Sequence, residues 1–597
     1  MTAEDAPRLI WTEDGSPRSG RFGDIYFSRE DGLAESRAVF LQGCGLPDAW
    51  RGRRRFVVGE LGFGTGLNIV ALLQLWRRCR PDGGRLHIFS VEAFPLGRDE
   101  AARALSAWPE LDEEASALLS RWPDSAPGFH RLDLPWNAVL DLAVGDAAWA
   151  LEAWSGQADA WFLDGFAPSV NPGMWSDAVL DGVRARSAPG CRLATFTVAG
   201  AVRRGLAERG YEVEKRPGHG RKRERLEARL PGVASEPPSP RVAVIGGGIA
   251  GASLARAFAA EGLQPEVLVA GPAGDGGSGF PAALVTPRLD AGDDAVAGLF
   301  AQALARAGAL YGSVEDAVLS RGVLQLEGAP RDAGRFDKIA AQPIWAGGAM
   351  SRVESAEASR LSGERVDVGG LWMAEALVAR PRALLDAWLP KPTLGRVARI
   401  EAAAGAWRAL GAEDEILAEA EIMVLACAMG GWSLLPDLPL SPVAGQADWV
   451  EGVGGPAAAW GGYAAPTGQG LLFGATHERG VIDPSPNDGA SERNRTTLRA
   501  RLPRLAERLN ALPSLRRAAV RATTPDRLPL AGAIPGAPGL HILTGLGSRG
   551  FCAAPLLAEH VAAGALGAPS PLPTAFAARV DPGRIPTLGN RNGSPPL

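Results

Sequence analysis

The chain has 597 residues, of which 46% are apolar and 22% charged, and its formal net charge is −5. This length exceeds what one hydrophobic core can organise, since single cores stop growing near roughly 250–300 residues, so we expect two or three domains. The mild net acidity does not indicate a general nucleic-acid binder, and no run of about 18 apolar residues predicts a membrane span.

The N-terminal residues lack the basic-then-apolar layout of a signal peptide, so we expect a cytoplasmic protein that has no membrane partner. The five cysteines and six histidines are scattered, and no two cysteines form a C-x-x-C pair. This pattern predicts neither a disulfide framework nor a metal site. We further expect a monomer.

The first 230 residues alternate strand-like apolar runs with helical ones, which is typical of an α/β doubly wound parallel sheet. The predicted strands are residues 56–59, 86–91, 140–144, 160–163 and 192–196. A glycine-rich turn follows the first strand and precedes a helix, and its glycines are Gly62, Gly64 and Gly66. Such a turn presents backbone N–H groups and a helix N-terminus to a nucleotide or its analogue.

Four acidic residues stand at or just after the ends of these strands: Glu60, Glu92, Asp146 and Asp164. Ligands of a doubly wound sheet bind outside the carboxyl ends of its strands. Acids placed there can accept hydrogen bonds from ribose hydroxyls, an adenine amino group and an aminoacyl ammonium, whereas they repel a phosphate. The pattern favours S-adenosylmethionine over a dinucleotide; the alternative is that these acids merely cap helices.

The most distinctive segment runs from Asp164 through Gly-Phe-Ala-Pro to Trp175. Methyl transfer to nitrogen needs a neutral amine lone pair in line with the sulfonium. We expect Asp164 to accept the amine proton or its hydrogen bond, and Phe166 or Trp175 to stack on the methyl acceptor.

Residues 203–229 carry ten arginines and lysines against five glutamates. Such a local basic surface can contact phosphates even in an acidic protein. The alternative is an ordinary solvated face.

Residues 231–240 contain four prolines and are predicted to be a linker between a methyltransferase domain at 1–230 and a second domain at 241–597. The second domain opens with a predicted strand at 241–245, a G-x-G-x-x-G turn and a helix at 252–261. The fingerprint glycines are Gly246, Gly248 and Gly251, a pattern that NAD and FAD proteins share. We expect the tail after about residue 569 to be poorly packed.

The acid that usually binds the ribose, about 20 residues after the fingerprint, is missing, since the second strand runs into Ala-Gly271 and a proline follows. Either a backbone group or another side chain holds that ribose, or the site is weaker than usual.

Three later segments favour FAD. Residues 422–430 resemble the late strand-to-glycine turn of flavoproteins, and residues 443–446 resemble the turn that follows in oxidases of the glycine and sarcosine oxidase kind. Residues 546–550, which include Gly547, precede a helix whose N-terminus can stabilise negative charge on a reduced flavin. Resemblance to these oxidases implies that Arg521 and Arg549 clamp a substrate carboxylate, the alternative being that both are surface residues.

Four segments together resemble the MnmC family, the bifunctional bacterial enzymes that make 5-methylaminomethyl-2-thiouridine at the tRNA wobble position. They are Asp24-Ile-Tyr-Phe-Ser28, residues 60–68, residues 164–168 and Gly220-Arg-Lys-Arg-Glu224. One departure is Cys44, where the family usually has Asn.

The resemblance implies an N-terminal Rossmann-like methyltransferase and a C-terminal FAD-binding domain of the D-amino-acid and glycine oxidase type, with a mixed-sheet substrate subdomain. FAD would serve the removal of the carboxymethyl group from 5-carboxymethylaminomethyl-2-thiouridine, and S-adenosylmethionine would then methylate the exposed amine. The partner is tRNA, and its expected contacts are Arg221, Lys222 and Arg223.

Two rivals remain open from the sequence. A fused amine oxidase and N-methyltransferase for free amino acids or peptides would use the same two cofactor sites, although it would not need the basic stretch. Alternatively, one domain is a catalytically inactive RNA-binding module, and the absent ribose acid gives this rival some support for the second domain.

Overall fold

The computed structural model describes residues 9–13, 15–27, 32–219, 223–234, 236 and 239–589. The chain divides into two compact units. The first comprises Met1–Pro238 with Pro569–Thr574, and the second comprises Ser239–Ala568 with Ala575–Leu597.

The first unit is an α/β domain. Its strands are β1 (Leu9–Trp11), β2 (Pro17–Ser19), β3 (Arg55–Leu61), β4 (Arg85–Glu92), β5 (Gly128–Leu134), β6 (Ala138–Val144), β7 (Ala158–Leu163), β8 (Ser187–Thr195), β9 (Glu212–Pro217) and β10 (Glu224–Arg229). Its helices are α1 (Gly32–Ser36), α2 (Leu67–Cys79), α3 (Arg98–Leu105), α4 (Asp112–Leu119), α5 (Ala147–Ala153), α6 (Asp177–Ala185) and α7 (Gly200–Glu208).

Eight of these strands form one sheet in the order β5-β6-β4-β3-β7-β8-β10-β9. The five predicted strands correspond to β3, β4, β6, β7 and β8, and they are mutually parallel, as predicted. Helix α2 covers one face with buried Leu72, Leu73 and Trp76, while Trp154 and Trp161 lie in the core of the other face. With both faces covered, most residues of β3, β4, β6 and β7 are buried, and the apolar runs within these strands are what the sequence showed.

The described part of the second unit contains three sheets. Its strands are β11 (Val242–Ile245), β12 (Glu266–Val269), β13 (Ala283–Val285), β14 (Val318–Leu326), β15 (Met350–Val353), β16 (Gly370–Ala379), β17 (Thr393–Leu394), β18 (Arg399–Ala403), β19 (Ala406–Leu410), β20 (Ile416–Ala420), β21 (Ile422–Leu425), β22 (Ser441–Glu451), β23 (Ala458–Ala459), β24 (Tyr463–Pro466), β25 (Gly470–Gly474), β26 (Glu478–Arg479), β27 (Leu515–Thr523), β28 (Leu530–Ala533) and β29 (Leu540–Thr544).

Its helices are α8 (Ile249–Ala260), α9 (Asp294–Gly312), α10 (Asp332–Ala340), α11 (Ser355–Ser362), α12 (Pro381–Trp388), α13 (Gly431–Leu434), α14 (Asp488–Arg499), α15 (Pro503–Asn510), α16 (Gly550–Leu566), α17 (Thr574–Val580) and α18 (Pro586–Gly589). None of the described helices combines the length and the apolar character that a membrane crossing requires.

A six-stranded sheet in the order β17-β12-β11-β21-β29-β28 carries the glycine fingerprint between β11 and α8. It is parallel except at β28. A ten-stranded mixed sheet includes β14, β16, β22 and β27, and a small antiparallel sheet is formed by β18, β19 and β20. The expected dinucleotide-binding sheet and the expected mixed sheet are therefore both present.

Two local expectations are wrong. Residues 443–446 lie inside strand β22 and not in a turn, because this segment pairs with β27 along its whole length. Within the described part of the tail, Leu572, Val580 and Leu588 are fully buried, so this segment is packed, although its many prolines and glycines suggested otherwise.

Candidate active sites

The first unit contains a cavity of about 1810 Å³ at the carboxyl ends of its parallel strands. Of the predicted site residues, six line it: Gly62, Gly64, Glu92, Asp146, Asp164 and Phe166. Gly62 has a φ of +99°, and a Cβ there would stand 2.5 Å from the carbonyl oxygen of Asp164. Only glycine therefore allows the turn after β3 to pass so close to the turn after β7.

Glu92, the last residue of β4, holds the glycine turn in place. Its Oε2 accepts the N–H of Gly64 at 3.0 Å, and its Oε1 accepts the N–H of Phe94 at 2.9 Å. Burial raises the pKa of Glu92, while these backbone donors act against that rise. Each carboxylate oxygen has a second lone pair, so Glu92 can also accept hydrogen bonds from a ligand such as a ribose.

Asp146 caps helix α5, since its Oδ1 accepts the N–H groups of Ala148 and Trp149 at 2.9 and 3.3 Å. The helix-cap interpretation therefore holds for this residue, which also lines the cavity.

Glu60 and Gly66 do not line the cavity. Glu60 is fully buried inside β3 and accepts a hydrogen bond from Ser90 Oγ at 2.5 Å. Burial raises its pKa from 4.5 to about 8, so the carboxyl is largely protonated at pH 7. Gly66 forms the N-cap of α2 with a φ of +80°, and a Cβ there would stand 2.9 Å from Leu118. Both residues thus support the glycine turn between β3 and α2 without lining the cavity.

Asp164 is oriented by Asn68, a residue that the sequence did not single out. Asn68 Nδ2 donates to Asp164 Oδ2 at 2.7 Å, and Asn68 Oδ1 accepts a hydrogen bond from Ser36 Oγ at 2.7 Å. Because the amide is held at both ends, the Asp164 carboxylate has a fixed direction towards the cavity, which both residues line. Asn68 follows the glycine turn directly, and that position was the signal available in the sequence.

An aromatic cluster surrounds Phe166. Its ring centroid lies 5.1 Å from that of Phe22 and 5.2 Å from that of Tyr26. All three rings line the cavity, whereas Trp175 does not. The Trp175 indole donates to the carbonyl oxygen of Phe166 at 2.9 Å. Of the two predicted stacking residues, Phe166 can reach an acceptor and Trp175 braces it.

The basic stretch is partly neutralised where it is described. Four of its eight described cations form ion pairs: Lys215 with Glu224, Arg216 with Glu214, Arg225 with Glu227, and Arg209 with Asp177 and Asp181. These pairs cancel part of the positive charge that the stretch could offer to phosphates. Arg223 is exposed. Arg221 and Lys222 lie outside the described residues.

The second unit contains a cavity of about 670 Å³ that begins at the glycine fingerprint. Gly246 and Gly248 line it. A Cβ on Gly246 would stand 2.4 Å from the carbonyl oxygen of Ala426, and one on Gly251 would stand 1.8 Å from that of Gly246. Gly251 therefore allows α8 to pack closely on the turn, and the N-terminus of α8 faces the cavity, as pyrophosphate binding requires.

The same cavity is also lined by Arg521, from β27, and by the turn of Gly547 and Arg549 that precedes α16. The Arg549 guanidinium donates to Thr286 Oγ1, and burial lowers the pKa of Arg549. Arg521 lies against Gly445 of β22, where a Cβ would stand 2.6 Å from its Nη1. Among the described residues, neither guanidinium has an acidic partner.

Charged groups in a partly desolvated cavity are costly unless they are paired, so two arginines without a carboxylate are typical of a site that an anionic ligand completes. Tyr463 and His477 lie beside Arg521 and were not predicted. Burial, together with the positive charge of Arg521, lowers the pKa of His477, which favours a neutral imidazole.

A smaller cavity of about 480 Å³ shares Gln325 and Arg549 with this one and is lined by the charged side chains of Arg288, Asp290, Asp332 and Arg335.

Both halves of the chain match family models. Residues 109–231 match S-adenosyl-L-methionine-dependent methyltransferases, and residues 241–563 match FAD dependent oxidoreductases. Full-length relatives carry the name tRNA 5-methylaminomethyl-2-thiouridine biosynthesis bifunctional protein MnmC. The protein from Caulobacter sp. (strain K31) is 55% identical over 98% of both chains, and that from Maricaulis maris is 42% identical over 97% of this chain and 96% of its own.

Among solved structures, the chain is similar to iminodiacetate oxidase from Chelativorans sp. BNC1, with a TM-score of 0.49 and 23% identity over 57% of this chain and 99% of that one. Glycine oxidase from Geobacillus kaustophilus gives a TM-score of 0.49 and 20% identity over 56% of this chain and 97% of that one.

Proposed function

The chain belongs to the MnmC family, and from that membership we propose that it carries out two consecutive modifications of the wobble uridine of tRNA. The second unit oxidises the carboxymethyl carbon next to nitrogen in 5-carboxymethylaminomethyl-2-thiouridine with FAD as the two-electron acceptor, and water hydrolyses the resulting imine to a primary amine and glyoxylate. The first unit methylates that amine with S-adenosylmethionine to give 5-methylaminomethyl-2-thiouridine. The observation that carries this proposal is the likeness to bifunctional relatives over nearly the whole chain.

The oxidative step needs the substrate carboxylate to be fixed so that the adjacent carbon faces the flavin. FAD, when bound, supplies the two-electron acceptor for oxidation of the bond between that carbon and hydrogen. Arg521 and Arg549 bind the carboxylate, since both line the cavity and neither has an acidic partner among the described residues. Gly246, Gly248 and the N-terminus of α8 hold the pyrophosphate, and Gly547, in the turn before α16, lines the same cavity and faces the flavin.

The methylation step needs the product amine to lose its proton and to point at the sulfonium. Asp164 accepts the proton or its hydrogen bond, in the direction that Asn68 fixes. Glu92 and Asp146 face the donor's ribose or its other polar groups, and Phe166 stacks on the thiouracil ring. Glu60 does not contact the donor and instead supports the glycine turn that binds it. tRNA contacts by Arg221, Lys222 and Arg223 stay a proposal that rests on the family resemblance.

Family membership favours tRNA over free amino acids or peptides as the substrate, since the relatives are named as tRNA-modifying proteins. An inactive second unit has little support, because its cavity carries the glycine fingerprint and the two arginines. The one feature that favours an inactive second unit is the missing ribose-binding acid.

The test is a reconstitution with tRNA that carries the carboxymethylaminomethyl group. We expect the protein with FAD alone to yield the aminomethyl nucleoside, and the protein with FAD and S-adenosylmethionine to yield the methylaminomethyl nucleoside, both detected by mass spectrometry. Oxidation of free glycine or sarcosine, with modified tRNA left unchanged, would refute the proposal and support the amino-acid rival.

A further inference from the structure

The FAD fingerprint of the second unit lacks one of its usual parts. The ribose-binding acid is normally found about 20 residues after the last fingerprint glycine, which is near Gly271 in this chain. Strand β12 ends at Val269, and residues 270–272 carry no acidic side chain. Without a substitute, the adenosine ribose would lose an acceptor for its hydroxyl groups.

Asp275 brings a carboxylate to that place from four residues further along the chain. Its Oδ2 lies 3.5 Å from the point where a Cβ on Gly271 would stand. The Asp275 carboxylate therefore lies beside the point from which an acidic side chain at position 271 would extend. The intervening turn is held by a hydrogen bond from the N–H of Asp275 to the carbonyl oxygen of Pro272 at 3.1 Å.

The same turn is tied to the fingerprint itself, because the N–H of Gly274 donates to the carbonyl oxygen of Gly247 at 3.0 Å. Arg517 lies beside the largely exposed side chain of Asp275, with its Nη2 3.4 Å from Asp275 Oδ1. The Arg517 guanidinium also donates to the carbonyl oxygen of Asp275. Oδ1 is thus directed at Arg517, and Oδ2 is directed at the place of the missing acid.

Asp275 is also the only acidic residue among the described residues that line this cavity. A carboxylate is the acceptor that ribose hydroxyls meet in dinucleotide sites of this kind. We therefore propose that Asp275, held by Arg517, binds the hydroxyl groups of the adenosine ribose of FAD. This inference rests on the proposed FAD-dependent function of the second unit.

The experiment compares FAD binding to flavin-free preparations of the full-length wild type and Asp275→Ala, followed by flavin fluorescence. We expect Asp275→Ala to raise the Kd for FAD by roughly 10- to 100-fold, the range for a lost hydrogen bond to a charged group. Asp483→Asn is the matched control, since Asp483 is exposed and lines neither cavity. In the Asp275→Ala background, Gly271→Glu restores the usual position of the acid and should recover most of the affinity.

An FAD analogue whose adenosine ribose lacks both hydroxyl groups makes the test specific. The wild type should bind this analogue more weakly than FAD by a similar factor, whereas Asp275→Ala should hardly distinguish the two. Equal FAD affinity in Asp275→Ala and wild type, or equal losses of that variant for FAD and the analogue, would overturn the role of Asp275 and leave the oxidase function standing. A wild type that takes up no flavin would instead overturn the proposed function.

Discussion

Replacing Arg521 with alanine should slow the oxidation step, so that tRNA accumulates with the carboxymethyl group still in place. Arg521 lines the second cavity, has no acidic partner among the described residues, and lies against Gly445, which leaves room for the guanidinium. A hydrogen bond to a charged group contributes about 1.5–3 kcal/mol, so losing the Arg521 contact should lower kcat/KM for the carboxymethyl substrate roughly 10- to 100-fold. Arg521→Lys keeps the charge but lacks the planar guanidinium, so its kcat/KM should lie between those of the wild type and Arg521→Ala.

The assay follows loss of oxidised flavin absorbance with modified tRNA under anaerobic conditions, and mass spectrometry of the nucleosides identifies the product. Arg516→Ala is the matched control, because Arg516 lies on the same strand and does not line the cavity. Methylation of tRNA that already carries the aminomethyl group should be unchanged in Arg521→Ala. A kcat/KM within twofold of the wild type would refute the carboxylate clamp.

Three further outcomes follow from the structure. Asp164→Asn should lower the methylation rate about 10²- to 10⁴-fold, so that the aminomethyl nucleoside accumulates while oxidation continues, and unchanged methylation would remove Asp164 from the mechanism. Glu559→Ala takes away the carboxylate that pairs with buried Arg306 at 2.6 Å, and we expect a loss of about 3–5 kcal/mol, seen in denaturant unfolding of the second unit. Glu559→Gln should lose less of the free energy of unfolding than Glu559→Ala. An unchanged unfolding midpoint in Glu559→Ala would contradict the stabilising role of this ion pair. Finally, the pKa of Glu60 is raised by burial to about 8, so the folded state holds a proton that the unfolded state releases above pH 4.5. As the pH rises from 5 to 8, the free energy of unfolding of the wild type should therefore fall relative to that of Glu60→Gln by about 1 kcal/mol per pH unit. The same pH dependence of stability in both proteins would disprove this.

The sequence predicted the parallel strands of the first unit because they are buried on both faces. The edge strands were not predicted because they contain no apolar run. Strand β9, for example, is Glu-Val-Glu-Lys-Arg-Pro and is exposed at five of its six positions. In its hairpin register with β10, Lys215 stands opposite Leu226 and Glu224 stands opposite Pro217, and Lys215 pairs with Glu224 diagonally across the two strands at 2.7 Å. Edge strands with charged side chains resemble loops in sequence.

At the sites, residues at strand ends could be predicted, and residues brought in from elsewhere could not. Glu92 ends β4 and reaches the cavity. Glu60 stands one residue before the end of β3, so the alternation of the strand turns its side chain into the interior. Asn68 and Tyr26 reach Asp164 and Phe166 from other elements, and such contacts leave no local periodicity in the sequence.

The opposite charges of the two cavities give a physical reason for the order of the reactions. Among the described residues, the first cavity is lined by six carboxylates and by no arginine or lysine, whereas the second is lined by three arginines and one aspartate. A nucleoside that still carries its carboxylate is therefore attracted to the second cavity and repelled from the first. The amine is protonated in both nucleosides, so once the carboxymethyl group has gone its positive charge is no longer balanced by a carboxylate, and the arginines repel it while the carboxylates attract it. Removal of the carboxymethyl group thus changes the cavity that attracts the nucleoside from the second to the first. The charges of the cavities alone therefore disfavour methylation before oxidation.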